Sequence, residues 1–159
     1  MATPSVAAPR GAVIPRPELH VAGKACIAFL VVLGLGALAG GIALVSRPDG
    51  SVMHFDVAIL AGSPFADFTI PGLILGGLFG LGSFVVAALG VARLRIAPFL
   101  AFAIGCGQMI WIVVQLAIIR EVSFLHPTFF GVGLVIAATA VPWGRPTFAA
   151  WRQGRSAPG

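Results

Sequence analysis

Six acidic or imidazole side chains lie between the apolar runs of this chain: Asp49, His54, Asp56, Asp67, Glu121 and His126. Histidine with carboxylates suits zinc, manganese or iron. His54 and Asp56, two residues apart, with His126 far along the chain, are therefore weak candidates for a divalent-metal site. Their spacing matches no strong metal template, and the simpler expectation is solvated loop residues, with His126-Pro127 opening a helix. Catalytic templates are missing: the sequence has no GxSxG, HExxH, Walker-type glycine loop or CxxC. Cys26 and Cys106 stand far apart, which argues against a disulfide framework and against a thiol–disulfide oxidoreductase. No catalytic residue and no cofactor is expected, and the reading leans away from an enzyme.

Within the apolar runs the polar groups are Gln108, Gln115, Ser83 and Thr139. Ionisable residues at bilayer depth mark ion paths, proton relays and voltage sensors, and these runs contain none. The two glutamines are seven residues apart and share a helix face. Ala101, Gly105, Gln108, Ile112 and Gln115 follow the four-three spacing of a left-handed bundle seam, bordered by Trp111. An amide in hydrocarbon needs partners. The expected partners are neighbouring backbone or Ser83, which would hold the helices in register. The alternative is a polar pocket for a quinone, a lipid headgroup or a small polar solute.

The elements that must position these groups are set by composition. The 159 residues are 58% hydrophobic and 9% charged, with a mean hydropathy of +1.03. Soluble domains carry about a quarter charged residues, so the solvent this chain expects is mostly lipid. About 20 apolar residues span the hydrocarbon as a helix. The spans are read at 25–45, 70–91, 96–119 and 127–143, the last the shortest. The fold class is thus an all-α membrane protein, an antiparallel bundle of four transmembrane helices occupying 24–143.

Charge assigns the orientation. Arg10, Arg16, Lys24, Arg93, Arg95, Arg145, Arg152 and Arg155 fall on one side of the spans, against Arg47 and Arg120 on the other. The positive-inside rule then puts both termini in the cytoplasm. Charges at the ends of apolar runs read as topology signals, so the net charge of +5 does not point to nucleic acid. Residues 1–23, rich in Pro, Ala and Gly, read as a disordered cytoplasmic tail. Residues 144–159 read as a basic, aromatic cytoplasmic tail, with Trp143 and Trp151 as anchors in the headgroup layer. Ala37-Leu38-Ala39 before Gly40 has the look of a signal-peptide cleavage site, but the apolar run continues unbroken to Val45 and is read as a span. Nine arginines to one lysine, with abundant Gly and Ala, suggest a GC-rich bacterial genome and hence a multi-pass protein of the bacterial inner membrane.

The longest connection, 46–69, is too apolar to stand free in water and is expected to pack over the outer mouth of the bundle, with a short interfacial segment near His54–Leu60. Ser63-Pro64 reads as an N-cap with proline at the first helical position, and Asp67 as a first-turn acid. The run Ser63-Pro64-Phe65-Ala66-Asp67-Phe68-Thr69-Ile70-Pro71-Gly72 resembles an S-P-F-x-D-F-x-x-P-G stretch in small, uncharacterised four-helix membrane proteins of bacteria. The resemblance covers roughly the first three spans; it implies the architecture and no activity.

Every span offers small residues at four-residue spacing, as close helix packing in lipid requires. These are Gly36/Gly40 and Ala37/Gly41, then Gly72, Gly76 and Gly80, then Ala101/Gly105 and Ala103/Gly107, and finally Gly133/Ala137. They are expected to close the helices on one another within the chain; Gly72–Gly80 could instead meet another copy or another subunit. Two functions follow: a structural or accessory subunit of a membrane complex, or a small oligomeric carrier or pore for an uncharged solute or lipid. The expected partners are the bilayer and another membrane protein or a second copy.

Overall fold

The computed structural model describes residues 19–119 and 123–155, with side chains to Arg145. It is helical throughout, with no strand among the described residues. Four helices carry it: α1 (Val21–Ser46), α2 (Thr69–Val91), α3 (Ala97–Ile119) and α4 (Leu125–Arg155). Each is long and apolar enough to cross a membrane, α4 over Leu125–Arg145. The tail expected to be disordered lies almost wholly outside the described residues, as do Arg120 and Glu121.

The helix ends differ from the expected spans for local reasons. α1 starts at Val21, inside the segment read as tail, because Lys24 does not end a helix: its N–H bonds the His20 carbonyl at 3.1 Å. α4 runs to Arg155 through Pro142, Gly144 and Pro146, a composition that reads as a stop signal. Its start is fixed by a reciprocal cap. Ser123 Oγ accepts from the Leu125 N–H at 3.2 Å, and His126 Nδ1 accepts from the Ser123 N–H at 3.0 Å. α2 does not begin at Ser63. There the hydroxyl accepts from the Phe65 N–H and the chain turns irregularly until Thr69, whose N–H is taken by Asp67 Oδ1 at 2.8 Å. Within α2, residues Ile74–Leu81 are wound as a π-helix, with the Gly82 N–H reaching the Gly77 carbonyl. Such widened turns are uncommon and gather at functional sites.

α1 packs against α2 and α4, and α3 packs against α4 and α2. Glycine allows the closest approaches. A Cβ on Gly41 would lie 2.5 Å from Gly76 Cα, one on Gly80 3.0 Å from Leu38 backbone, and one on Gly105 2.6 Å from the Gly133 carbonyl oxygen. Gly72 lies against Leu44 and Val45. The Gly72–Gly76–Gly80 face is thus occupied by α1 of the same chain. Gly36 and Gly40 differ from these: their neighbours are side chains, the Phe129 ring and Leu75.

The end of the molecule where α1 starts and α2 stops is tightly filled. Cys26, Leu30, Leu33, Ala97, Ala101 and Ile136 have no exposed surface. Trp143 packs against this core and sits on Gly23 of α1 and Gly90 of α2. The side chain of Trp151 lies outside the described residues. Between α2 and α3 the chain turns on Arg93, which takes a left-handed φ of 58° while the Leu94 N–H reaches back to the Leu89 carbonyl.

At the opposite end the long loop folds on itself. Gly50, at φ 78°, closes a turn on the Arg47 carbonyl. The Phe68 N–H bonds the Pro48 carbonyl at 3.0 Å and ties the loop's two ends together. The Phe55 and Phe68 rings meet with centroids 5.9 Å apart. Leu60 and Phe68 bury against Leu44, so the loop carries a small core of its own on the end of the bundle.

Candidate functional site

The seam stripe of α3 points inward as its spacing requires: Ala101, Gly105, Gln108 and Ile112 are buried and Gln115 is half-buried. Gln108 is 1% exposed, yet its Oε1 has no hydrogen-bond partner. Ser83 Oγ, fully buried on α2, has none either, so the expected bond between these two groups does not form. Ser83 packs within the bundle, whereas Gln108 faces a cavity. Thr139 is satisfied by its own helix, donating to the Val135 carbonyl at 2.7 Å.

The cavity holds about 130 Å³ and lies under the loop. α3 contributes Gln108, Ile112 and Gln115 to its wall; Gly36, Gly40 and Leu44 come from α1, and Leu75 from α2. Phe129 and His126 of α4, Ser123, and Met53 and Phe55 of the loop also line it. The two amides stand about 10 Å apart along the helix axis. The polar groups therefore run from Gln108 at depth, past Gln115, to Ser123 and His126 by the loop. Between them the wall is apolar. Gln115 also borders a smaller cavity of about 40 Å³, walled by Trp111, Phe65 and Phe68. The Trp111 Nε1–H is a third buried group without a partner among the described residues. On the other side of Gln108 the path stops, because Gly105 touches the Gly133 carbonyl and Ala137 backbone.

The glycines of α1 let side chains of α4 and α2 close in beside this space. A Cβ on Gly36 would come within 2.5 Å of the Phe129 ring, and one on Gly40 within 3.1 Å of Leu75. Sequence spacing marked Gly36 and Gly40 as a helix-packing pair. It marked Ala37/Gly41 likewise; in three dimensions Gly41 meets the α2 backbone, whereas Gly36 and Gly40 meet side chains of α4 and α2 and line the cavity.

The weak metal candidates do not come together. Among the described residues no three His, Cys, Asp or Glu side chains gather as a metal site. Asp56 is exposed and caps a short 3₁₀ turn by accepting from the Ala58 N–H at 2.8 Å. His54 is exposed with a left-handed φ of 58°. His126 caps α4 through Nδ1, which lies 3.0 Å from the Ser123 nitrogen and 3.3 Å from the Ser123 carbonyl oxygen. Two loop carboxylates have lowered pKa values. Asp49 is held down first by the Ser51 N–H and then by the Ser51 hydroxyl, and Asp67 first by the Thr69 N–H and then by its hydroxyl.

Sequence reasoning placed Gln108 and Gln115 on one face but missed the parts of the site that come from elsewhere: Leu75, Phe129, Met53 and Phe55. Only Phe129 had a local signal, its helix-period position facing α1. No protein-family model, curated protein or solved structure matches this chain.

Proposed function

We propose that this chain crosses the bacterial inner membrane four times as an antiparallel bundle, with both termini in the cytoplasm, and binds a small uncharged ligand reached from the outer side. The observation that carries the reading is Gln108: an amide 1% exposed, with an unpartnered oxygen, on the wall of a cavity that lies under the outer loop. A buried polar atom left alone costs about 1–3 kcal/mol, and a ligand's hydrogen bond removes that cost. An uncharged ligand is supported by the lining: among the described residues that form it, His126, at the loop end, is the only titratable group, and the deep wall around Gln108 carries none. The cavity is blind beyond Gln108, so a single chain is a receptor rather than a pore. Transport through it would need several copies or a change of shape.

The test is native mass spectrometry of the protein extracted with its surrounding lipid. An uncharged small molecule bound one per chain is expected, and it should be lost in Gly36→Leu, whose side chain would drive Phe129 into the cavity. A wild-type protein carrying no bound species under these conditions contradicts the reading.

A second reading, an accessory subunit of a membrane complex, is supported by Gly77. A Cβ there would meet nothing within 4 Å, and Leu73, Leu78 and Leu81 beside it are exposed. Small residues on a free helix face allow another helix to approach closely. A partner that co-purifies with the wild type and is lost in Gly77→Leu would support this role; unchanged co-purification would contradict it.

A further inference from the structure

We propose that the cavity takes a neutral hydroxyl-bearing group of about glycerol size, and this rests on the ligand-binding reading above. The argument begins with volume. A cavity of about 150 Å³ accepts a benzene-sized guest, so about 130 Å³ accepts a group of similar bulk. That is the size of a three-carbon polyol and far below that of a whole lipid.

Hydrogen-bond chemistry then selects the type of group. Gln108 Oε1 needs a donor. The amide carries an acceptor oxygen and a donor nitrogen side by side, so a group that can both donate and accept satisfies the oxygen and meets the nitrogen as well. A hydroxyl does both. A quinone or other ketone only accepts, and leaves the amide oxygen unpartnered. Gln115, on the same wall and about two turns away, offers a second amide to a second hydroxyl. An ammonium or carboxylate would enter a cavity that has no counter-charge at depth, which is costly in hydrocarbon surroundings.

The walls fit the remainder of such a group. Ile112, Leu75, Leu44 and Phe129 present apolar surface between the two amides, against which the carbon backbone of a polyol packs. The same chemistry exists in two sources, a free polyol and the head of a neutral glycerolipid. The half-buried Phe55 and Met53 at the loop are compatible with an attached acyl chain or with none.

The experiment titrates the wild-type protein, in nanodiscs of phosphatidylcholine, with glycerol, with 1-monooleoylglycerol and with decylubiquinone. Binding is read by native mass spectrometry and by the shift of the thermal unfolding midpoint. The same titrations are run on Gln108→Leu and on Gly36→Ala. At least one hydroxyl probe is expected to bind the wild type and to bind Gln108→Leu about tenfold more weakly, the loss of one hydrogen bond. Gly36→Ala, which keeps the amide but crowds Phe129 towards it, should also weaken binding. Response to 1-monooleoylglycerol alone assigns the group to a lipid head, and response to glycerol assigns it to a free polyol; either supports the proposal. If decylubiquinone binds in a Gln108-dependent way and neither hydroxyl probe does, the hydroxyl inference is overturned while the binding site stands. If no probe binds differently in wild type and Gln108→Leu, both are overturned.

Discussion

Two sets of glycines in this bundle serve opposite ends. One set brings backbones together: Gly105 sits against Gly133 and Ala137 in the half towards the termini, and Gly41 against Gly76 and Gly72 in the half towards the loop. The result towards the termini is a dry core around Cys26, Leu30, Leu33 and Ile136. The other set, Gly36 and Gly40, meets only the ends of side chains and lines the cavity below Met53 and Phe55. A glycine motif in a membrane helix therefore has no fixed meaning. Backbone opposite a glycine makes a seam, and a side chain opposite one makes adjustable space.

That contrast is broken most severely by filling a seam. Gly105→Leu must push α3 away from the α4 backbone, and overpacking of this kind costs about 3 kcal/mol. A lower thermal unfolding midpoint and reduced yield of folded protein in mild detergent are expected, while Gly40→Ala, facing the flexible Leu75 side chain, should change the midpoint little. Equal losses from the two would remove the distinction. The next effect has the opposite sign. Gln108→Leu replaces an unpartnered buried amide by an apolar side chain of similar shape, and ligand-free protein should gain about 1–2 kcal/mol. Destabilisation measured in the same assay would mean that the amide has a partner in the membrane.

A smaller gain is expected from Arg93→Gly. Arg93 closes α2 with a φ of 58°, a conformation that costs a side-chain-bearing residue about 1 kcal/mol relative to glycine. Thermal unfolding of the variant should show that increase, with the cavity unaffected.

The smallest effect is confined to the loop and follows from pH. Asp49 and Asp67 have lowered pKa values because they accept from Ser51 and Thr69. Their folded values lie below the unfolded ones, so the stabilisation is complete above the ordinary carboxylate range and is lost as pH falls through the lowered values. Hydrogen exchange, corrected for the intrinsic effect of pH, should show the Ser51 and Thr69 amides opening in acid while the core of α3 stays protected. Opening of both regions together would mean that the loop and the cavity form one cooperative unit.

Much of this architecture was legible from composition. Unbroken apolar runs located all four helices, since lipid-facing and core-facing positions are apolar alike. The same uniformity hid the packing. Nothing local separates Gly36/Gly40 from Ala37/Gly41, because which pair meets backbone depends on where α2 and α4 lie. The helix runs on past the span read as ending at Trp143, because it absorbs the breaker chemistry of Gly144 and Pro146. The widened winding of Ile74–Leu81 has no sequence signature beyond its glycines. The glutamine stripe was legible because two amides in an apolar helix are rare and their spacing fixes a shared face. Whether they had partners was not, because that depends on Ser83 and on the loop.

The contrast between a dry half and an accessible half is tested most directly by cysteine labelling in intact cells. With Cys26 and Cys106 replaced by alanine, a single cysteine is placed at Gln115 or at Ala101, and a small membrane-impermeant thiol reagent is added from outside. The account predicts that Gln115→Cys is labelled and Ala101→Cys is not. Labelling of both, or labelling of Ala101→Cys alone, would contradict a cavity that opens on the outer side and ends at Gln108.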